Sequence, residues 1–330
     1  MRFFRKTNID FIGKRRTWYV VSISVTVAGI LFAMIRGVEY GIDFAGGTEV
    51  QLQFQKDVKI DDMRAALDAA TIRGAEVKYY GKDESGVLIR VREGAQGAAA
   101  GAEATKKVLA AVEKGFPNNK SLLLQEQHIG PKIGAELRVK AFEAVFFTCV
   151  VILIYLAFRF RFVYGLGAVI AILHDVLVAF AFAVICNGFV PWLNLEMNST
   201  LLAAFLTIVG FSVNDTVIIF DRIREDQKKY KGQTLKEIMN RAINETLPRT
   251  IITSGTVFLT LLVLFIWGGE VLRGFAFTML IGVITGTYSS IFVASAIAFD
   301  WLERDKNKTA TAAVGQRRQA TLPKRTPATA

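Results

Sequence analysis

One acid interrupts the apolar run Thr207-Ile208-Val209-Gly210-Phe211-Ser212-Val213-Asn214-Asp215-Thr216-Val217-Ile218-Ile219-Phe220. A charged side chain near the centre of a membrane-crossing helix costs roughly 2.5–3.5 kcal/mol on insertion scales, and such groups face a bundle interior or a water-filled cavity. Asp215 therefore reads either as a proton carrier or as a hydrogen-bonded structural aspartate, and its place in the run favours the first. Holding a carboxyl neutral at pH 7 against a reference pKa near 3.9 costs roughly 4 kcal/mol, close to the insertion cost of the charged form. A change of hydration, or the approach of a cation such as Arg249, then suffices to move the proton. A membrane potential supplies about 2.3 kcal/mol per elementary charge per 100 mV, enough for one proton to drive a modest conformational change.

Asp175, preceded by His174, is a second acid in an apolar run. Twelve residues into its helix, it lies roughly 18 Å deep at 1.5 Å per residue, on a face shared with Ala168, Ala171 and Ala179. His174 can relay protons to it, tune it, or simply pack. Thr207, Gly210 and Asn214 form a small or polar stripe expected beside Asp215. Arg249 opens the next helix, below Thr253, Thr256 and Thr260, and Gly274, Thr278, Gly282, Thr285 and Ser289 repeat the theme in the last one. Small faces let helices approach closely, which by itself explains the Gly, Ala and Thr residues. Asp221 and Arg222 are expected to pair at an interface. Cys149 and Cys186 have no metal or disulfide spacing, and His128 and His174 are far apart, so no metal or cofactor is expected. Gly46-Gly47 lacks the Lys and Ser/Thr of a phosphate loop, which argues against nucleotide.

These residues need a membrane bundle to hold them. The 330 residues are 52% hydrophobic, in long apolar runs separated by charged patches. A net charge of +11 in a soluble chain would suggest nucleic acid; here Lys and Arg sit beside the apolar runs, where they set topology instead. The expected order is a basic cytoplasmic start (1–16), a span retained as an anchor (17–36), an outer domain (37–137), and spans at 138–158, 162–186 and 199–221. Then follow a basic amphipathic segment along the inner membrane surface, in contact with lipid (222–248), spans at 249–267 and 273–301, and a disordered basic tail (302–330). Six spans place both termini in the cytoplasm, and the short outer loops 187–198, with Pro191 and Trp192, and 268–270 carry no Lys or Arg.

The outer domain reads as a βαββαβ, ferredoxin-like α+β unit. Thr48 to Gln55 alternates as a strand, Asp61 is placed to cap a helix with Met63, Ala66, Leu67 and Ala70 on its apolar side, and Ala75 to Tyr80 and Val87 to Arg92 read as strands joined by a turn at 81–86. Gly94 to Gly101 reads as a loop, Ala102 to Val112 as a helix and Ser121 to His128 as the last strand.

Six motifs then follow one another in order: Gly41-Ile42-Asp43-Phe44-Ala45-Gly46-Gly47-Thr48, Gly130-Pro131-Lys132-Ile133-Gly134, His174-Asp175-Val176, Gly210 to Val217, Phe220 to Glu225, and Asn244 to Thr250. Over about residues 10–300 the chain closely resembles the SecD/SecF family of bacterial protein-export membrane subunits, on its SecF side, within the RND superfamily. The resemblance implies an inner-membrane subunit that uses the proton gradient to assist export of unfolded chains through the SecYEG channel, with a separate SecD and YajC as partners. It implies that the Asn-Asp-Thr aspartate, Asp215, and an arginine one helix later, Arg249, are the functional membrane charges, with another aspartate on SecD. Asp43, Gly46 and Gly47 match the family's outer motif, read here as a turn that orients the outer domain above the first span. Half of an RND-type small-molecule exporter, or a purely structural subunit, also fits six spans and one outer domain. About 100 outer residues are few for docking an exporter's adaptor.

Overall fold

A computed structural model describes residues 7–80, 84–92, 101–190 and 193–306. The first six residues, most of the expected loop at 94–101, part of the turn at 81–86, Pro191 and Trp192, and the tail from 307 lie outside the described residues. Six helices are long and apolar enough to cross a membrane. They are α1 (Arg15–Arg36, led by a 3₁₀ turn at Ile12–Lys14), then α5 (Pro131–Arg159), α6 (Phe162–Phe189), α7 (Ser199–Lys229), α8 (Leu235–Trp267) and α9 (Gly269–Ser289). A π-helical turn at Ser290–Ala294 follows α9, and the helix then continues over 295–306. α9 packs against α6, α7 and α8, and Gly282 lets Ile208 of α7 sit directly on its backbone. α1, α5 and α8 ring that centre. Phe142, Phe146, Val151, Ile154 and Phe158 of α5 point outward, as lipid-facing residues do.

Several helices run past the expected limits. The apolar run of α7 stops at Asp221, yet the helix goes on to Lys229, and only residues 230–234 separate it from α8. The amphipathic segment expected to lie along the membrane is therefore the end of one helix and the start of the next. Thr234 caps α8 in a full capping box with Glu237, and Ile238, Met239, Ala242 and Ile243 are buried in the bundle. Pro248 is tolerated inside α8. Arg249 consequently lies in mid-helix rather than at a helix start. Pro131 supplies the first residue of α5, ahead of the expected start at 138.

Between α1 and α5 come a short helix α2 (Ile42–Ala45), then β1 (Gly47–Phe54), α3 (Ile60–Ala69), β2 (Glu76–Tyr79), β3 (Gly86–Val91), α4 (Ala102–Gly115) and β4 (Ser121–Ile129). The strands lie in the order β2-β3-β1-β4, antiparallel throughout. Period-two alternation sends Val50, Leu52 and Phe54 of β1 and Val87, Ile89 and Val91 of β3 into one core with Met63, Leu67, Val108 and Val112 of α3 and α4. Asp61 is not the cap of α3: Lys59 holds that position, and Asp61 sits inside the first turn, where its charge favours the helix dipole.

The two glycine motifs meet where this domain joins the bundle. Gly46 has φ +76° and lies against the start of α5, so a Cβ there would fall 2.7 Å from Pro131 Cα. Gly37, at φ +82°, has open space around it. Gly46→Ala is expected to destabilise the protein by about 1–3 kcal/mol, combining backbone strain with the clash. Gly37→Ala should cost only the strain; equal shifts of the thermal midpoint for the two would show that the close approach carries no weight.

Candidate functional site

Two apolar clusters fill the bundle, with a polar layer between them. At the sheet end lie Ala179, Ala183, Leu201, Ala204, Phe205, Ile208, Met279 and Val283. At the far end lie Tyr164, Ala168, Ile219, Phe220, Met239, Ile243, Ile291 and Ala294. Asp175 of α6, Ser212, Asp215 and Thr216 of α7, Ser254 of α8 and Ser289 of α9 occupy the waist, all buried. Asp215 is sixteen residues after Ser199 and fourteen before Lys229, so it is central in α7.

The two acids are held differently. Asp175 accepts from Ser212 Oγ at 2.6 Å and Ser289 Oγ at 2.7 Å on Oδ2, and its Oδ1 lies 3.0 Å from His174 Nδ1. His174 Nε2 is 2.8 Å from the Tyr288 hydroxyl, which is 3.3 Å from Ser22 Oγ on α1. Ala168, Ala171 and Ala179 are fully buried along the same helix. Asp215 accepts only from Ser254 Oγ, at 3.2 Å on Oδ2, and its buried Oδ1 has no hydrogen-bond partner among the described residues. Arg249, five residues before Ser254 on α8, acts on Asp215 through space, and no ion pair within 4 Å joins them. Arg249 itself is exposed. Asn214 is exposed too: with Ala203, Thr207 and Gly210 it forms the outward face of α7, so the polar stripe expected beside Asp215 points away from it. Asp221 and Arg222 do not pair with each other. Asp221 binds Arg159 of α5 at 2.9 Å, while Arg222 reaches Glu225, Asp226 and Glu245, because neighbours in sequence diverge by about 100° around a helix.

Asp43 links the sheet domain to the helix that carries Asp215. Its Oδ2 accepts from the backbone N–H of Ser199, the first residue of α7, at 2.8 Å, and its Oδ1 accepts from Gln127 of β4 at 3.1 Å. A carboxylate at a helix N-terminus also suits the helix dipole. Asn198 caps the same end through Leu201 N–H, and the linker after α1 pairs with the segment before α7 through Gly41 N–H to Met197 O and Met197 N–H to Glu39 O, each 2.9 Å. Gly46 and Gly47 make the turn that delivers β1 to this joint.

Beside it lies an ionic cluster that spacing along the chain does not reveal, since its members come from five separated segments. Lys78 Nζ sits 2.7, 2.9 and 2.8 Å from Glu39, Glu76 and Glu196, so an ammonium lies among the three carboxylates that are close enough together to share a cation. Buried Arg90 binds Glu196 at 2.5 Å, Glu49 at 2.8 Å and Glu76 at 3.3 Å. Glu196, between α6 and α7, is 2% exposed and ties the bundle to β2 and β3. Burial opposes the charge on Glu76, but Lys78 and Arg90 outweigh it and hold its carboxyl below the usual range. Burial likewise opposes the charge on Lys78, and Glu196 with the other carboxylates outweighs it and holds the ammonium above its usual range.

Comparison with known proteins covers most of the chain. The family described as "Protein export membrane protein SecD/SecF, C-terminal" matches residues 108–304, and the "SecD/SecF GG Motif" matches residues 32–58. A protein translocase subunit SecF from Rhodothermus marinus is 39% identical over 91% of this chain and 95% of its own length. That from Gemmatimonas aurantiaca is 42% identical over 92% of this chain and 90% of its own. Among solved structures, SecDF, a translocon-associated membrane protein from Thermus thermophilus, aligns with a TM-score of 0.78 and 32% identity over 90% of this chain. This chain spans 39% of that one.

The ionic joint sets a pH window. A lowered Glu76 pKa stabilises the fold above the ordinary Glu value of about 4.3, and that contribution is lost as pH falls through the folded value. A raised Lys78 pKa stabilises below the ordinary Lys value of about 10.4 and is lost only in stronger alkali. The protection of amides at β2, β3 and residues 37–41, taken relative to their intrinsic exchange rate at each pH, should therefore stay flat across neutral pH and fall in acid below about pH 4. A loss of protection centred on neutral pH would contradict the assignment.

Proposed function

Because the chain belongs to the SecF family of protein translocase subunits, we propose that it converts proton movement across the bacterial inner membrane into motion of an outer domain that assists protein export. The observation that carries this is Asp215: buried at the waist, bonded through one oxygen to Ser254, with its other oxygen unpartnered and Arg249 acting on it from the next helix. The free oxygen is the place for a proton. With the proton on, the waist holds a neutral acid; with it off, a carboxylate attracts Arg249 and draws α7 and α8 together. Asp43 and the 37–41 linker carry a tilt of α7 to the sheet domain. Asp175 and His174 lie at the same level and take part through α7, by way of Ser212.

The sheet domain is ferredoxin-like in this reading, as its antiparallel order β2-β3-β1-β4 and its two helices support. It faces the periplasm. The far end, rich in Lys14, Arg15, Arg16, Arg159, Arg161, Arg222 and Arg224, faces the cytoplasm with both termini. SecD covers the outward stripe of Ala203, Thr207, Gly210 and Asn214 together with Arg249, Thr256 and Thr260, since small and polar groups on a helix face suit another helix better than lipid. SecDF chains more than twice this one's length leave room for such a partner. SecYEG, YajC and the unfolded chain in transit complete the assembly. No observation favours an exporter.

Asp215→Asn should lower proton-driven protein translocation in inner-membrane vesicles by about tenfold or more while the variant still copurifies with SecD. Full translocation by that variant would leave only the structural role.

A further inference from the structure

We propose that Ser22, Tyr288 and His174 form a proton relay that loads Asp175, making it a second exchanging carboxyl of the bundle with its own route toward the far end. The proposal deepens the proton-coupled reading above, on which its purpose rests, but its geometry stands apart from Asp215. The contacts are continuous: 3.3 Å from Ser22 Oγ to the Tyr288 hydroxyl, 2.8 Å from there to His174 Nε2, and 3.0 Å from His174 Nδ1 to Asp175 Oδ1. One assignment of hydrogens satisfies every link. An ionised Asp175 can only accept, so Nδ1 carries the imidazole proton. Nε2 then accepts from the Tyr288 O–H, and the Tyr288 oxygen accepts from the Ser22 O–H. All donors point toward Asp175.

The transfer balances. As Nδ1–H breaks and Asp175 O–H forms, the Tyr288 proton passes to Nε2, the Ser22 proton passes to Tyr288, and Ser22 takes a proton from water. One proton is gained by Asp175 and one is lost by water, while His174 ends neutral as the other tautomer. Rotation of the two hydroxyls and a turn of the imidazole reset the wire.

Three observations set this apart from plain packing. Ser212 and Ser289 already give Asp175 two hydrogen bonds, so an acid that merely had to be satisfied does not need a chain reaching α1. On α1 the polar groups continue along one face, Arg15, Tyr19 and Ser22, at spacings of four and three residues. Tyr19 donates to Asp300 at 3.1 Å and Arg15 pairs with Asp300 at 2.8 Å, so α1 meets the last helix through polar contacts at the far end as well as at Ser22, with Trp18 stacked on Phe292 between the two. Finally, the π-helical turn Ser290–Ala294 begins right after Tyr288 and Ser289. π turns are rare and gather at functional sites. The groups facing Asp175 are His174 on its own helix, Ser212 on α7, and Ser289 on α9; the ionisable groups further along the route are Tyr288, Tyr19, Asp300 and Arg15.

The test follows Asp175 itself, in the full chain with its partner in liposomes. Its carboxyl band is assigned in the infrared by difference from Asp175→Asn and timed after a pH jump. Tyr288→Phe keeps the ring against Trp18 but removes the hydroxyl, and should slow proton arrival about tenfold or more with little change in the final amplitude. Ser22→Ala, a smaller change, should slow it severalfold and serves as the second variant if Tyr288→Phe folds poorly. Arrival at the unaltered rate in both variants, or an Asp175 band that never responds to pH, overturns the relay. Neither outcome touches Asp215, whose failure is read separately from translocation by Asp215→Asn.

Discussion

Within the hydrocarbon, a polar group has no water to fall back on, so each one carried into a spanning helix must find its partner in the protein. That constraint shapes the waist of this bundle. Asp175 meets it fully, with donors from α6, α7 and α9. Asp215 meets it halfway. The fully bonded acid fixes how three helices pack; the half-bonded one leaves an open position whose occupation by a proton changes what its neighbours prefer. Apolar clusters above and below keep the layer narrow, so the two acids share one level although they belong to different helices.

Much of this was legible in the sequence, and the misreadings have physical causes. Period-two alternation located β1, because it buries one face against two helices. Asp175 and Asp215 stood out because an acid inside an apolar run is costly wherever it points. Helix ends were harder. Hydropathy falls at Asp221, but backbone hydrogen bonding continues for as long as one face finds a core, and Ile223 does. Arg249 was misplaced for the same reason, its helix having begun fourteen residues earlier with a capping box. Asn214 adjoins Asp215 in sequence but lies about 100° around the helix, which turns it outward.

Contacts between distant segments could not be read from spacing at all. Glu196 sits in a loop without Lys or Arg, and nothing local says that Lys78 and Arg90 will reach it. Tyr288 is one of several hydroxyls in α9, and only the fold brings it to His174. The glycine motifs were visible as unusual local sequence, but their mutual contact, Gly46 on Pro131, was not.

The fastening of α7 at its first turn limits how that helix can move. Asp43 and Asn198 hold its leading amides, so sliding along its axis would break them, whereas tilting about that end would not. Measured as a straight rod from Ser199, Asp215 is about 24 Å away and Lys229 about 45 Å, at 1.5 Å per residue. A lever with its fulcrum at Ser199 amplifies accordingly: a sideways step of a given size at the acid becomes nearly twice as large at the opposite tip, while the pivot itself transmits torque instead of displacement.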